Sequence, residues 1–239
     1  QKILVTGGAG FIGSHLSRRL LSEGFEVVSV DNYNDFYDPQ IKEKNIQAIK
    51  ETSPYSDLFL SVKADIRNRP EMLVLMESLK PDAVVHLAAM AGVRPSIENP
   101  ALYTEVNIVG TQNLLDACAA SQVKHFLFAS SSSVYGNNPK VPFSETDSVD
   151  HPISPYAATK KAGELICYTY SHLHQIQMTC LRFFTVYGPG QRPDLAIHKF
   201  AKLMVDGKEI PFFGDGNMQR DYTYVDDIVE GVLSALDRN

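Results

Sequence analysis

The sequence contains no apolar run close to the roughly 20 residues that a bilayer-spanning helix needs, so a membrane-embedded protein is not expected. Its opening, QKILVTGG, has neither the charged nor the apolar region of a signal peptide, and a cytoplasmic protein is expected. There is no excess of positive charge. The chain carries 22 Lys and Arg against 28 Asp and Glu, a formal net charge of −6, and the basic residues are scattered. Nucleic acid and anionic membrane are therefore not expected as partners, because both are bound through clustered cations. Cysteine is scarce and unpatterned: Cys118, Cys167 and Cys180 show no CxxC spacing and lie in apolar periodic segments. They read as three buried small hydrophobes, with neither disulfide nor metal implied. His172 and His174 stand two apart in a helical pattern and so do not share a face, which argues against a metal pair. Internal repeats are absent, and four consecutive serines are the one biased stretch. The chain opens without Met and stops at Asn239 directly after a helical pattern, so both ends read as trimmed or as lacking poorly ordered segments.

What is present is an alternation. With 239 residues and 44% hydrophobic content, the chain can bury a substantial core. Short β-branched runs (KILVTG, FEVVSVD, LFLSVKAD, DAVVHLAA, HFLFASS, MTCLRFF) alternate with helical patterns. These cover about Phe11 to Glu23, Gln40 to Glu51, Pro70 to Leu79, Ala101 to Ser121 and Pro155 to Gln175. Such an order predicts an α/β fold, a doubly wound parallel sheet of Rossmann type with helices on both faces. Pro70, Pro100 and Pro155 stand where helices would begin, at positions whose N–H has no helical partner anyway. After YGPGQRPD the strict alternation stops. A helix near 195–206, a short strand IPFF, a turn GDGN, a strand near RDYTY and a last helix from Val225 follow. A division is expected between residues 1–187, a dinucleotide-binding domain, and 188–239, a smaller substrate lobe.

Three constellations carry chemistry. VTGGAGFIG follows the first strand and opens the first helix, and reads either as Gly8, Gly10, Gly13 or as Gly7, Gly10, Gly13. In both readings the missing β-carbons let backbone N–H groups approach a pyrophosphate at the helix N-terminus. Asp31 ends the second strand, where its carboxylate can accept from adenosine ribose hydroxyls; its charge would repel a 2′-phosphate, which favours NAD over NADP. Tyr156 and Lys160 in YAATK lie four apart on one helix face, the spacing at which an ammonium can favour a phenolate. The serines of ASSSSVYG follow the strand HFLFAS, at what would be the carboxyl edge of the sheet, where α/β proteins bind ligands.

Together TGGAGFIG, Asp31, ADI, HLAA, Asn107, SSSSVYG, YAATK and RFFTVYGP resemble the extended short-chain dehydrogenase/reductase family, in its nucleotide-sugar epimerase and dehydratase branch. The resemblance implies an NAD held throughout turnover, a UDP-sugar substrate, a homodimer paired through the two long helices, and roles for individual residues. Tyr156 is the base, Lys160 holds the nicotinamide ribose and acidifies the phenol, and Ser131, four residues before the Tyr of the VYG turn, bonds the reacting sugar oxygen. Gly7, Gly10, Phe11, Ile12, Gly13, Asp31 and Asn32 match cofactor positions. So do Asp65 and Ile66 at the adenine, Leu87, Ala88 and Ala89 at the middle of the dinucleotide, Asn107, and Phe184 near the nicotinamide.

Dehydratases of this branch carry Asp and Glu after the catalytic hydroxyl, and decarboxylases of UDP-glucuronate keep a Glu before the VYG turn. This sequence has Ser132 and Ser133, hydroxyls that cannot do that acid–base chemistry. Epimerisation at C4 through a transient 4-keto sugar remains. RFFTVYGPGQRPD, DNYNDFYDP and AGVRPSIENP look most like UDP-glucuronate 4-epimerases, in which Ser132, Ser133, Thr185 and Arg192 would grip the sugar carboxylate. The alternative is UDP-glucose 4-epimerase, which needs no cation at Arg192. Arg220 in NMQRDYTYVDD matches a diphosphate-binding position. Arg94 faces the diphosphate or plain solvent, and Phe213 the uracil or the core of the small lobe.

Overall fold

The computed structural model describes residues 1–211, 214–216 and 219–237. Six of the apolar runs form strands: β1 (Lys2–Thr6), β2 (Glu26–Asp31), β3 (Phe59–Lys63), β4 (Ala83–His86), β5 (His125–Ser131) and β6 (Gln177–Phe183). All pair in parallel, in the order β3-β2-β1-β4-β5-β6. The chain leaves β1 toward one edge and returns at β4 toward the other, so the crevice at the carboxyl ends of β1 and β4 is the topological switch point where ligands bind.

The four inner strands, β2, β1, β4 and β5, bury both faces, as their near-continuous apolar character predicts, whereas the edge strands β3 and β6 are only partly covered. Leu4, Val84, Phe126 and Phe128 point to one side, where α3 (Arg69–Leu79), α6 (Thr111–Ala120) and α7 (Pro155–His174) pack. Ile3, Val5, Val85 and Leu127 point to the other, onto α1 (Phe11–Ser22), α2 (Pro39–Thr52) and α9 (Val225–Leu236). The helices start at the expected prolines, and the residue before each start adds a side-chain cap. Asn68 accepts from Glu71 N before α3, Asn99 accepts from Leu102 N before α5 (Pro100–Thr104), and Ser154 accepts from Ala157 N before α7.

Several expectations are corrected. The single helix expected over Ala101 to Ser121 is α5, a π-helical turn at Glu105–Gly110, and α6. A further short helix, α4 (Val93–Glu98), was not signalled by periodicity. Cys118 and Cys167 are buried, but Cys180 is exposed, because β6 is the outer strand and bonds only to β5. Ile210 and Pro211 of the expected strand IPFF have no regular structure, and its other two residues lie outside the described ones.

The packing also crosses the expected division at residue 187. The strand β7 (Thr185–Tyr187) pairs in parallel with β8 (Tyr222–Tyr224), beyond that point. The last helix, α9, returns to the main sheet and buries Val229, Val232, Leu233 and Ala235 in the same core as Leu16 and Leu20 of α1. Only α8 (Ala196–Val205) and its flanking loops stand clear of it.

Candidate active site

A cavity of about 910 Å³ opens at the carboxyl edge of the sheet, and most of the residues singled out in the sequence line it. Its floor is the start of α1. Gly7, Gly10, Phe11, Ile12 and Gly13 all contribute, whereas Gly8 faces Ser29, which decides between the two readings of the glycine motif. Gly7 has φ +67°, and a β-carbon there would come within 2.8 Å of Ala88 N. No side chain caps the first turn of α1, so its N–H groups stay available to an anion.

At the end of β2, Asp31 and Asn32 line the cavity together with Asn34, Phe36, Tyr37 and Lys42. Asp31 is buried. Its Oδ1 accepts from Tyr33 N at 2.9 Å and from Lys42 Nζ at 3.1 Å. Lys42 also donates to Asn34 Oδ1 at 3.2 Å. The sequence reading missed Lys42, although a signal was there: Lys42, Ile46 and Ile49 are spaced as one face of α2, and a lysine in an apolar stripe needs a buried partner. Burial and the nearby Asp31 push the Tyr37 phenol up to about 12.

Ile66, Leu87, Ala88 and Ala89 line the cavity, but two neighbours in the expected cofactor set do not. Asp65 turns to Arg67, which donates from Nη2 at 2.7 Å, and to Asn32 Nδ2 at 3.0 Å. The Arg67 contact holds the Asp65 carboxyl down at about 2. Asn107 is buried in the π turn, where its Oδ1 accepts from Met90 N at 2.8 Å and its Nδ2 donates to Met90 O and to Thr159 Oγ1. It braces the loop after β4. Beneath that loop, Thr6 Oγ1 accepts from Ala88 N and Thr111 Oγ1 donates to Asn107 O. His86 is bonded between them, at 2.6 Å through Nδ1 and 2.9 Å through Nε2, which assigns the neutral Nε2–H tautomer. Burial, reinforced by Lys160, pushes this imidazole down to about 3.

The reacting corner is formed where β5 meets α7. Ser131, Ser132, Ser133, Tyr156 and Lys160 line it, with Phe184 and Thr185 entering from the end of β6. Burial raises the Tyr156 phenol, and a hydrogen bond with Ser131 and the charge of Arg192 oppose that rise. The ammonium expected to acidify Tyr156 stands 5.9 Å from its ring and donates to Ala129 O at 2.7 Å. Burial lowers Lys160 itself to about 8. Ser131 is hydrogen-bonded to Ser133, whereas Ser130 donates to Glu164 on α7. Burial favours the protonated Glu164, but hydrogen bonds from Arg182 and Ser130 outweigh it and hold the carboxyl below its ordinary range. Arg182, at 2.9 Å through both Nε and Nη2, thereby ties β6 to the helix that carries Tyr156. Neither Glu164 nor Arg182 was singled out in the sequence, since each reads as an ordinary charge until β6 and α7 are brought together.

Arg94, Arg192 and Arg220 line the cavity from α4, from the loop after β7 and from the stretch before β8. Phe213 lies outside the described residues. Among the described residues no cluster of three or more His, Cys, Asp or Glu could hold a metal, and no helix is long and apolar enough to cross a membrane.

The family profile described as NAD dependent epimerase/dehydratase matches residues 3–239. An Arabidopsis thaliana protein named UDP-glucuronate 4-epimerase 3 is 49% identical over 239 residues, covering 98% of this chain and 54% of its own length. The UDP-glucuronic acid 4-epimerase of Bacillus cereus, solved with UDP-glucuronic acid and NAD, superposes with a TM-score of 0.90 at 41% identity, over 100% of this chain and 74% of the other. The UDP-glucose 4-epimerase of Thermotoga maritima, solved with UDP-glucose, superposes with a TM-score of 0.89 at 36% identity, again over 100% and 74%.

Proposed function

This chain belongs to the NAD dependent epimerase/dehydratase family, and from that premise we propose that it inverts C4 of a UDP-sugar through a transient 4-keto intermediate, with UDP-glucuronate preferred. The residues present suit the dinucleotide: an uncapped helix start with a glycine cradle for the pyrophosphate, and a buried carboxylate beside a lysine for the adenosine ribose. NAD bound there would supply reversible hydride acceptance at C4, so that inversion would involve no net redox change. Lys160 would hold the nicotinamide ribose. Tyr156 accepts the proton of the C4 hydroxyl and gives it back, and Ser131 holds the oxygen from which it comes.

One observation carries the preference for glucuronate: the Arg192 guanidinium lines the same cavity as Ser131, Ser132, Ser133, Tyr156 and Thr185, where it could meet a sugar carboxylate. A 4-keto uronate is a β-keto acid, which loses CO₂ when the breaking bond aligns with the carbonyl π system. Arg192 with Ser132, Ser133 and Thr185 would hold the carboxylate out of that alignment. Arg220 and Arg94 are suited to the diphosphate as cationic partners at the cavity mouth. The absence of acids at Ser132 and Ser133 disfavours dehydration and decarboxylation, and the intact Ser131, Tyr156 and Lys160 disfavour a non-catalytic NAD-binding regulator.

The test incubates the protein with UDP-glucuronate and UDP-glucose separately and resolves the products. Epimer formation from UDP-glucuronate, about 10²–10⁴-fold slower in Tyr156→Phe, is expected. Arg192→Ala should lose the uronate reaction selectively. Epimerisation by Tyr156→Phe at the parent rate would refute the assignment. A homodimer in the cytoplasm completes the reading. It is supported by apolar residues left exposed along α7, among them Leu165 at 56% and Tyr168 at 76%, and a monomeric mass in solution would contradict it.

A further inference from the structure

The loop that carries Arg192 is a built structure. Gln191 is buried and donates from Nε2 to Val186 O at 2.9 Å, and its own carbonyl is bonded by His198 Nδ1 at 2.9 Å. Leu195 N closes the turn on Arg192 O at 3.2 Å. On this support the guanidinium is doubly engaged by one carboxylate: Nε donates to Asp194 Oδ1 at 2.9 Å and Nη2 to Oδ2 at 2.7 Å. Its plane sits 5.5 Å from the Phe36 ring. Arg192 lines the cavity and Asp194 does not. Of the five N–H donors, Asp194 takes two, and Nη1 has no hydrogen-bond partner among the described residues.

A sugar carboxylate therefore meets a guanidinium that already has an anion. Two carboxylates about one guanidinium repel, and the incoming one gains less than it would from an unpaired Arg. That matters for a substrate that must turn over. Presenting both faces of C4 to one hydride acceptor moves the whole ring, and the carboxylate, borne on that ring, moves with it. A full-strength bidentate ion pair in a desolvated site would hold one pose. We propose that Asp194 is a specificity-determining residue that weakens the hold of Arg192 on the uronate carboxylate, enough for the 4-keto ring to reorient while its acid group stays bound. The inference rests on the uronate reading given above. A neutral hexose brings no carboxylate, so Asp194 leaves its binding nearly untouched.

The experiment compares the parent, Asp194→Asn, Asp194→Glu and Arg192→Ala as full-length, NAD-loaded protein. Calorimetric Kd values are measured for UDP-glucuronate and UDP-glucose, with kcat and KM for the former. Asp194→Asn should bind UDP-glucuronate about ten-fold tighter, with kcat and KM falling together, the signature of an over-stabilised ground state. UDP-glucose Kd should move less than about two-fold, and Asp194→Glu, which keeps the charge, should return the parent values. Asp194→Ser serves the same comparison if the Asn variant folds poorly. Unchanged or weaker uronate binding in the charge-removing variants overturns the inference, as does an equal shift for both sugars, which would mark general damage to the loop. Arg192→Ala separates the two levels. If it weakens only UDP-glucuronate while Asp194→Asn does not tighten it, this inference falls alone; if it does not discriminate between the sugars, the uronate reading falls first.

Discussion

Helices α1 and α8 are similar in length, and both were legible as helical patterns, yet α1 buries seven of its twelve residues and α8 none of its ten. Leu16, Leu20 and Leu21 of α1 press on the sheet, whereas Ile197, Met204 and Val205 of α8 stay exposed at 44%, 66% and 87%. An amphipathic pattern suffices to make a helix, but burial needs a facing surface. In the first region the sheet provides one on each side. In the second, only α9 reaches it, by returning to α1 and to β5 and β6. The core on this side of the sheet is thus completed by α9, and the loops near Arg192 and Arg220 line a cavity whose other wall is the carboxyl edge of the sheet.

That contrast can be broken by substitution. The largest effect is expected from Phe126→Ala, at a fully buried position of β5: about 3–5 kcal/mol of destabilisation in chemical denaturation. A loss below ~1 kcal/mol would mean that the sheet half is not the stable core described here. Next comes acid. His86 is held neutral, with its imidazole near 3 when folded against 6.5 in the unfolded chain. The unfolded state therefore binds the proton first as the pH falls through 6.5, and stability drops progressively toward pH 3. Between pH 6.5 and 5 the drop should be about 2 kcal/mol, measured as a shift of denaturation midpoint. The same slope persisting in His86→Gln would place its origin elsewhere. The smallest effect is expected at Met204→Ala on α8, within ~0.5 kcal/mol. A loss comparable with that of Phe126 would show that α8 has a buried face in solution.

Much of the site was readable because its chemistry is local. Gly7, Gly10 and Gly13 lie within seven residues, Tyr156 and Lys160 within one helical step, and Ser131 to Ser133 at the end of one strand. Asp31 was identified, but its lysine was not, because Lys42 comes from the next helix and looks like a surface charge until α2 is laid against β2. Asp65 and Asn107, expected at the cofactor, do not line the cavity and bond to Arg67, Asn32 and the Met90 backbone. Motif position alone does not say which way a polar side chain points.

The order of strands and helices, the glycine cradle and the proline helix starts were determined by the sequence itself, since β-branched runs, periodicity and prolines act over a few residues. Which charges neutralise which was decided only by the tertiary structure. Lys42 on Asp31 and Arg182 on Glu164 are partners separated along the chain, and low exposure makes each ion demand a specific neighbour that residue spacing cannot name. Even Asp194, two residues from Arg192, takes its meaning from the cavity that the guanidinium it pairs with lines.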